Sequence, residues 1–599
     1  MLRKPFLVAL AAVCFCLAAG AETYVVATDG DNTHPGTLDR PLRTIQAAAE
    51  RMRPGDVCEI RGGLYRETVR TALSGDPDAP MVFRAYGGEK VIVSGADRVE
   101  GWEPAGQGQC VAPLSGPAAE QVFVEGRMMP CACWPNTALD PFDRVWAVAD
   151  KGTGAKKLVD AALPKLDFTG ATLHVLPGRH WVSWVRPAGA YDGAKQQLEI
   201  NADWSQGPAY KLTEGTRYYA FGTRALLDAA GEWCHDAKAG KLYVKTPDGR
   251  PAAACRVEVK RRKWAFDLQN RYNIRLEGLH IFAATINLQG AVGCAVDGCH
   301  VRYASHFTNP SGWNRYNDTG IVLAGRDNLV RDSSVVFSAG NGVTVLGADN
   351  VLTNCVVRRA NYMATDCGAV WLEGRGHEVS HCTLGLTGRS VLLNRHLQAG
   401  RIVYNELHDG GLLTTDLGMT YCYQTDGDGT EIAYNWVHHN RAAHVGVGIY
   451  IDNGSKNFLI HHNVCWDNEN SGIRLNTPSY NNRLYHNTLI DNGNSLGYWG
   501  PDGEKRQPGC VAVNNVMTDK VQLGDGIRAH HNYTGDTPGL AAPVEHDFRP
   551  DADSPCVDAG VFIDGVTDVV AGGAPDLGAY ESAGDAWRPG HDWGPPPVF

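Results

Sequence analysis

The stretch that decides the fold is Gly-Ile-Tyr-Ile-Asp at 448–452, followed by Ile-His-His-Asn at 460–463. The same arrangement recurs before it, from 419 to 435, and after it, from 472 to 487. In each copy the closing Asn stands eleven residues after the last residue of the first segment. A short strand, a turn and a second strand, repeated roughly every two to three dozen residues, predict the coils of a parallel β-solenoid.

The alternation within one copy predicts which side chains face outward. Successive side chains on a strand point to opposite faces. Ile449 and Ile451 are therefore expected to point into the solenoid, and Tyr450 and Asp452 to point out of it. Outward side chains on successive coils form a ribbon suited to an extended chain molecule. We expect this ribbon to bind a carbohydrate, and Asp452 to attack it or to activate water against it.

An all-β fold follows for most of the chain: a parallel β-helix (solenoid) interrupted by an inserted antiparallel β-rich domain. Residues 44–52 carry apolar residues at helical spacing and are followed by Pro54, which predicts a short N-terminal helix capping the first coil. Trp181 and Trp184, in the insertion, are expected in its core. The predicted segments are a signal peptide at 1–21, N-terminal coils at 22–100, the insertion at 101–260, the main β-helix at 261–540, and a closing segment and tail at 541–599.

Bulk properties narrow the function. Residues 1–21 have a basic start, an apolar run and a small-residue end, which is typical of a signal peptide and predicts a secreted or periplasmic protein. No later stretch predicts a membrane span. The formal charge is −11, which makes nucleic acid an unsuitable partner and favours a neutral glycan over a polyanion.

Of 17 cysteines, two lie in the signal peptide, and several of the others occupy repeat positions, which indicates stacked core thiols.

One turn position recurs from coil to coil and predicts a structural ladder. Stacked Asn side chains satisfy one another and the turn backbone, so we assign these residues no catalytic role. The positions are Cys299, Ser334, Cys355, Cys382, Asn405, Asn435, Asn463, Asn487, Asn515 and Asn532.

The outward ribbon supplies the candidate site. Neighbouring coils are about 4.8 Å apart, so Asn476 and Gln424 are expected one coil from Asp452. Glu373 is expected three coils away, roughly 14 Å, which suits a subsite residue better than a catalytic partner. Aligning the last outward residue of each first strand gives Glu373, Asn394, Gln424, Asp452 and Asn476, preceded two positions earlier by Trp371, Leu392, Cys422, Tyr450 and Arg474.

The second carboxylate must come from a nearby loop. Asp416 is the first choice for a general acid, because a loop beside an aromatic face can desolvate a carboxyl group and raise its pKa. Asp426 is the alternative, although it stands among glycines that are typical of a turn. Matching Asp366…Trp371 with Asp416…Tyr421 gives a second possible register, in which Tyr421 rather than Cys422 faces outward.

At these residues the chain resembles secreted right-handed parallel β-helix glycoside hydrolases, namely the β-xylosidase family and the α-L-fucosidase/xylanase family of this fold. The shared motifs include Tyr-Val-Val-Ala-Thr-Asp-Gly (24–30), Arg-Gly-Gly-Leu-Tyr-Arg-Glu (61–67) and the coil repeats. The resemblance implies a right-handed helix and a nucleophile at Asp452. The acid/base Glu of the xylosidase group falls at Asn476, which cannot donate a proton. Two Asp on different loops resemble the fucosidase/xylanase group instead.

The sequence therefore predicts an exported, monomeric glycoside hydrolase that acts on a neutral oligo- or polysaccharide without a cofactor or metal. Asp452 would be the nucleophile or base, and Asp416 or Asp426 the acid. Two alternatives stay open: a polysaccharide lyase, for which Arg395 or Arg474 would be the base, and a non-catalytic carbohydrate-binding protein. The residues expected to hold sugars are Trp371, Glu373, Gln424, His444, Tyr450, Arg474 and Asn476.

Overall fold

The computed structural model describes residues 20–200, 207–313, 319–567 and 570–597. The predicted signal peptide lies outside this part of the chain except for its last two residues. Within the described ranges, no helix has the length and apolar content that a bilayer crossing requires.

Three long parallel sheets form the walls of the solenoid, because each strand pairs with the equivalent strand of the next coil. This arrangement confirms the predicted parallel β-helix. Sheet I contains Thr23–Val26, Val57–Ile60, Met81–Ala85, Ile274–Glu277, Ala295–Asp297, Leu329–Arg331, Val351–Thr353, Glu378–Ser380, Arg401–Val403, Glu431–Ala433, Leu459–His461, Arg483–Tyr485, Val511–Val513 and Arg528–His530. Sheet II contains Gly63–Tyr65, Val91–Ser94, His280–Phe282, His300–Arg302, Ser334–Ser338, Val356–Ala360, Thr383–Gly385, Glu406–His408, Trp436–Asn440, Val464–Asn468, Thr488–Ile490 and Val516–Met517. Sheet III contains Trp264–Asp267, Thr285–Asn287, Ala291–Val292, Thr319–Arg326, Asn341–Ala348, Val370–Arg375, Leu392–Gln398, Leu417–Cys422, Gly446–Ile451, Ser471–Leu475 and Leu496–Gly497.

The core is a continuous column of inward-facing aliphatic side chains. Ile449 and Ile451 belong to it and are 0% and 1% exposed, as the alternation predicts. Burial of each such side chain contributes about 1.5–3 kcal/mol. The predicted capping helix is present as Ile45–Ala49, with the Thr44 side chain accepting a hydrogen bond from the Ala47 amide, and it buries Ile45 against the first coils.

The turn ladder is present and explains its residues structurally. Asn435 Nδ2 donates to Asn463 Oδ1 at 2.9 Å, and Asn463 Nδ2 donates to Asn487 Oδ1 at 3.0 Å. At one coil the predicted position is off by one, since Ser333 rather than Ser334 accepts from the Cys299 amide. Every cysteine in the described part of the chain is a free thiol.

The insertion is built from antiparallel sheets, and its pairing starts at Ala96–Arg98, just before the predicted boundary. One sheet contains Ala96–Arg98, Val257–Lys260, Val122–Val124 and Arg127–Met129. A second contains Cys133–Trp134, Arg217–Phe221, Thr172–Leu176, Trp184–Asp192, Gln197–Ile200 and Lys157–Val159, with Ala147–Val148 at its side. A third contains Trp233–Asp236, Lys241–Val244, Cys110–Pro113 and Glu103–Pro104.

The C-terminal segment runs back along sheet II instead of closing the last coil. Its hairpin, Leu540–Ala542 with Asp547–Pro550, places Phe548 against Trp436 and Trp466. Outward-facing tryptophans leave apolar surface exposed, and covering it is favourable. The Pro-rich end continues in the same direction, where Trp593 Nε1 donates to the Asn354 carbonyl at 2.7 Å. The 3-10 turns of the chain are Tyr86–Gly88, Pro141–Asp143, Pro208–Tyr210, Arg224–Leu226, Ala252–Ala254, Pro501–Gly503 and Pro543–Glu545.

Candidate active site

A cleft of about 720 Å³ lies on the outer face of sheet III, where the insertion folds over the solenoid. Sheet III and the turns at its two edges supply the floor, and the insertion supplies part of one wall. The lining residues are Arg179, Trp181, Tyr210, Trp313, Asp366, Trp371, Glu373, Arg389, Arg395, His396, Asp416, Tyr421, Tyr423, Gln424, Val445, Tyr450, Asp452, Asn453, Arg474, Asn476 and Trp499.

The strand register decides which side chains form the floor. Tyr421 pairs with Tyr450, which pairs with Arg474, so the second of the two registers considered from the sequence is correct. Cys422 points into the core and is 1% exposed, and the expectation that it faces outward is wrong. The slip arises because one residue of offset turns a whole strand segment over.

The predicted register is also off by one residue at three neighbouring positions. Asn394 is in register with the core residue Leu372 and is buried, and Leu393 rather than Leu392 is level with Trp371. Gln424 is level with Asn453, whose carbonyl accepts from the Gln424 amide at 3.1 Å, and not with Asp452. Gln424 nevertheless lines the cleft.

Asp452 follows the strand Gly446–Ile451 and is held by three donors. The Tyr421 hydroxyl donates to Oδ2 at 2.9 Å, and Asn476 Nδ2 donates to Oδ1 at 2.7 Å. The amide of Asn453 also donates to Oδ1, at 2.8 Å. Hydrogen bonds of this kind stabilise the negative charge of a carboxylate, which is what a nucleophile or a general base requires.

Asp416 precedes the strand Leu417–Cys422 and has a different environment. Burial raises the pKa of its carboxyl group above the ordinary value, the positive charge of Arg389 opposes that rise, and the negative charge of Asp452 adds to it. The Tyr450 hydroxyl lies 3.5 Å from Asp416 Oδ1. A carboxyl group with a raised pKa keeps its proton to higher pH and is therefore better suited to act as a general acid.

Two side chains connect these carboxyl groups. Asn476 Nδ2 donates to the Tyr450 hydroxyl at 2.8 Å as well as to Asp452, and Tyr450 in turn reaches Asp416. Laid end to end, the three contacts span no more than about 9 Å, which is within the range of catalytic carboxyl pairs in glycosidases. A second carboxyl group therefore lies within about 9 Å of Asp452.

Asn476 acts as an orienting residue in this network. Its Oδ1 accepts from Arg474 Nε and from the Trp499 amide, both at 2.8 Å, while its amide nitrogen serves Tyr450 and Asp452. Both N–H groups and both lone pairs of the side chain are thus in use. The position that the xylosidase resemblance assigned to an acid thus holds an amide that orients Tyr450 and Asp452.

Comparisons with known proteins agree with the architecture. A family model described as "Right handed beta helix region" matches residues 416–533. A solved structure described as "Glycoside hydrolase" superposes with a TM-score of 0.62 at 16% identity, covering 80% of this chain and 96% of the other. The protein is a right-handed parallel β-helix.

Two curated proteins are similar to short segments of this chain. A segment of 88 residues is 39% identical to "Pectate lyase PEL9" of Emericella nidulans, covering 14% of this chain and 21% of that protein. A segment of 77 residues is 37% identical to "Uncharacterized protein YwoF" of Bacillus subtilis, covering 13% and 16% of the two chains. The chain thus spans about a fifth or less of the length of these relatives.

The β-helix does not bring two predicted residues to the cleft. Asp426 accepts from Asn457 Nδ2 at 2.7 Å and lies 3.2 Å from Lys456 Nζ, on a turn outside the lining set. The hydrogen bond from Asn457 is the main cause of its lowered pKa, so Asp426 is unsuited to act as the acid. His444 is exposed and is also outside the lining set.

Several cleft residues were missed by sequence reasoning. Trp181 lines the cleft, whereas Trp184 is 4% exposed and belongs to the core of the insertion, so the expectation for these two was half right. Trp499 and Tyr423 are 52% and 40% exposed at the cleft. Trp499 could have been found by extending the coil alignment one step beyond Asn476.

An ion cluster in the cleft lining was also missed. Asp366, which is 4% exposed, accepts from Arg395 Nη2 at 2.7 Å and from Arg389 Nε at 3.3 Å. The Arg395 guanidinium lies over the Tyr421 ring, 4.8 Å from its centroid. No group of three or more His, Cys, Asp or Glu side chains within the described ranges is arranged to hold a metal ion.

Proposed function

We propose that this protein is an exported glycoside hydrolase that cleaves a neutral glycan with Asp452 and Asp416. The observation that carries the proposal is the pairing of two carboxyl groups in one cleft whose surroundings differ. Hydrogen-bond donors surround Asp452, while burial raises the pKa of Asp416. Glycosidic bond cleavage requires two carboxyl groups in different roles, and different surroundings are what allow that division.

The chemistry follows from these environments. Asp416 donates its proton to the glycosidic oxygen while the bond from that oxygen to the anomeric carbon breaks. Asp452 either attacks the anomeric carbon or removes a proton from an attacking water. In the first case water later releases the sugar from Asp452 and returns a proton to Asp416; in the second, Asp452 carries the proton away.

The rest of the cleft supports a sugar ligand. Exposed aromatic rings at Tyr423, Trp313 and Trp499 offer flat apolar surface beside polar groups. Such convergence of aromatic rings and a few fixed polar groups in one concavity is typical of a small-molecule or glycan site. Two of the cleft arginines, Arg389 and Arg395, are already paired with Asp366, which favours an uncharged substrate. We expect a monomer to suffice, because one chain supplies the whole cleft.

The second candidate is a polysaccharide lyase, which the partial match to a pectate lyase favours. A lyase needs a base to remove the proton beside a uronate carboxylate. No lysine is among the described residues that line the cleft. Arg474 and Arg395 remain as candidates, and Arg395 is held by Asp366 and the Tyr421 ring.

Asp452→Asn distinguishes these functions. Aryl glycosides of xylose, fucose, galactose and arabinose, together with a panel of neutral and uronate polysaccharides, would be assayed for new reducing ends and for the absorbance of an unsaturated uronate. We expect reducing ends from a neutral substrate, their loss in Asp452→Asn, and wild-type activity in the matched control Asp426→Asn. An unsaturated product would establish the lyase, and binding without turnover across the panel would establish a non-catalytic protein.

A further inference from the structure

Arg389 lies where three parts of the chain meet. It is 2% exposed, and its Nε donates to Asp366 Oδ1 on the solenoid. Its Nη1 donates to the carbonyl of Trp181 in the insertion at 2.8 Å and to the carbonyl of Thr415 at 3.0 Å. Its Nη2 donates to the carbonyl of Asp416 at 3.2 Å. One buried guanidinium therefore joins the β-helix, the insertion and the loop that carries the candidate acid.

The insertion and the acid-bearing loop also touch each other directly. The Thr415 amide donates to the His180 carbonyl at 3.2 Å, and the Thr415 hydroxyl donates to the Arg179 carbonyl. Arg217, on a strand of the insertion, donates to the carbonyl of Leu413. The backbone of 413–416 is thus held from outside by the insertion and from below by Arg389.

We propose that Arg389 is a positioning residue that fastens the loop 413–416 to the insertion and so sets the place from which Asp416 acts. The inference rests on the proposed function, since Asp416 is the acid only if the protein is a glycosidase. It gives the insertion a part in the reaction, because without the carbonyls of 179–181 and the Arg217 side chain the loop would keep only its solenoid contacts. Misplacement of a catalytic group by about 1 Å costs on the order of 10²-fold in rate.

Arg389 also acts on Asp416 through its charge. Its positive charge stabilises the Asp416 carboxylate and so lowers the pKa that burial has raised. A neutral replacement is expected to raise that pKa further, and the loss of activity at alkaline pH then moves to higher pH, because a general acid works only while protonated. Among the described residues, the other groups that face Asp416 are Asp452, Arg474, Arg179 and the hydroxyls of Tyr450 and Tyr210.

The test compares Arg389→Lys, Arg389→Gln and the matched control Arg359→Lys. Arg359 also joins the solenoid to the insertion, through Asp140, but outside the cleft lining. In Arg389→Lys we expect kcat to fall by about 10²-fold with KM nearly constant, because lysine cannot reach the four acceptors of the guanidinium. The pH at which activity is lost on the alkaline side should not move, because lysine keeps the positive charge. In Arg389→Gln we expect a similar fall and an alkaline limb at higher pH. Arg359→Lys should change neither.

Hydrogen exchange at the Thr415 amide gives a readout that does not depend on activity. We expect faster exchange there in both Arg389 variants and not in Arg359→Lys. Unchanged exchange together with unchanged kcat in Arg389→Lys would overturn the inference. Should the Arg389 variants fail to fold, Thr415→Val removes one link without burying a lone charge, and a kcat equal to that of the wild type would count against the inference. An active Asp452→Asn would instead overturn the proposed function and leave the exchange result standing.

Discussion

Tyr421→Phe probes the hydrogen bond that the Tyr421 hydroxyl donates to Asp452. The Tyr421 hydroxyl lies 2.9 Å from Asp452 Oδ2. Burial, together with the negative charge of Asp452, raises the pKa of Tyr421 well above its ordinary value, so the hydroxyl stays protonated and acts as a donor. The substitution removes this donor and nothing else of the ring.

The expected magnitude follows from the type of contact. A hydrogen bond to a charged group contributes about 1.5–3 kcal/mol, which corresponds to roughly 10- to 150-fold in kcat/KM if Asp452 carries the reaction. The packing of the ring should survive, because the edge contact with Tyr450 (5.3 Å between centroids) and the stacking under Arg395 do not involve the hydroxyl.

The assay is steady-state hydrolysis of the best aryl glycoside, with thermal unfolding measured on the same preparations. Tyr272→Phe is the matched control, since Tyr272 is 48% exposed and outside the cleft lining. We expect a shift of unfolding temperature within a few degrees for both variants and a loss of kcat/KM for Tyr421→Phe alone. Retention of activity within twofold by Tyr421→Phe would refute the view that its hydroxyl supports the reacting carboxylate.

Four further outcomes are expected. Asp416→Asn should lower kcat by about 10²- to 10⁴-fold on substrates with poor leaving groups and much less on dinitrophenyl glycosides, and equal losses on both would argue against its role as acid. Because burial raises the pKa of Asp416, wild-type activity should persist above the ordinary Asp range and fall as pH rises further, as a pH profile of kcat/KM would show. Trp499→Ala should raise KM severalfold with little change in kcat, because Trp499 contacts Asn476 through its backbone amide, which the substitution keeps. An unchanged KM for every active substrate would show that the ring does not bind substrate. Asn463→Ala should lower the free energy of unfolding in denaturant by about 1–3 kcal/mol, because it leaves Asn435 without its ladder partner.

The sequence was sufficient for most of the repeating coils. The alternation around Ile449 and the spacing of Asn435 and Asn463 reflect interactions between neighbouring coils, so a pattern along the chain reports the contacts directly. The same repeat correctly placed Asp452 beside Asn476 on the outward face. The repeat predicted the register of the strand Leu417–Cys422 less well, because the loop before it differs in length from the loops of the other coils. An offset of one residue there exchanges the inward-facing and outward-facing side chains.

The part of the cleft wall that the insertion supplies could be recognised only from the tertiary structure. Trp181 and Arg389 are 208 residues apart in the chain and meet through a single hydrogen bond, and no periodicity connects an insertion to the coils it covers. The protonation of Asp416 depends in the same way on what lies around it, since burial and the charges of Arg389 and Asp452 are properties of packing. The repeat thus determined the scaffold and one carboxylate by itself, while long-range folding decided how the second carboxyl group is held and charged.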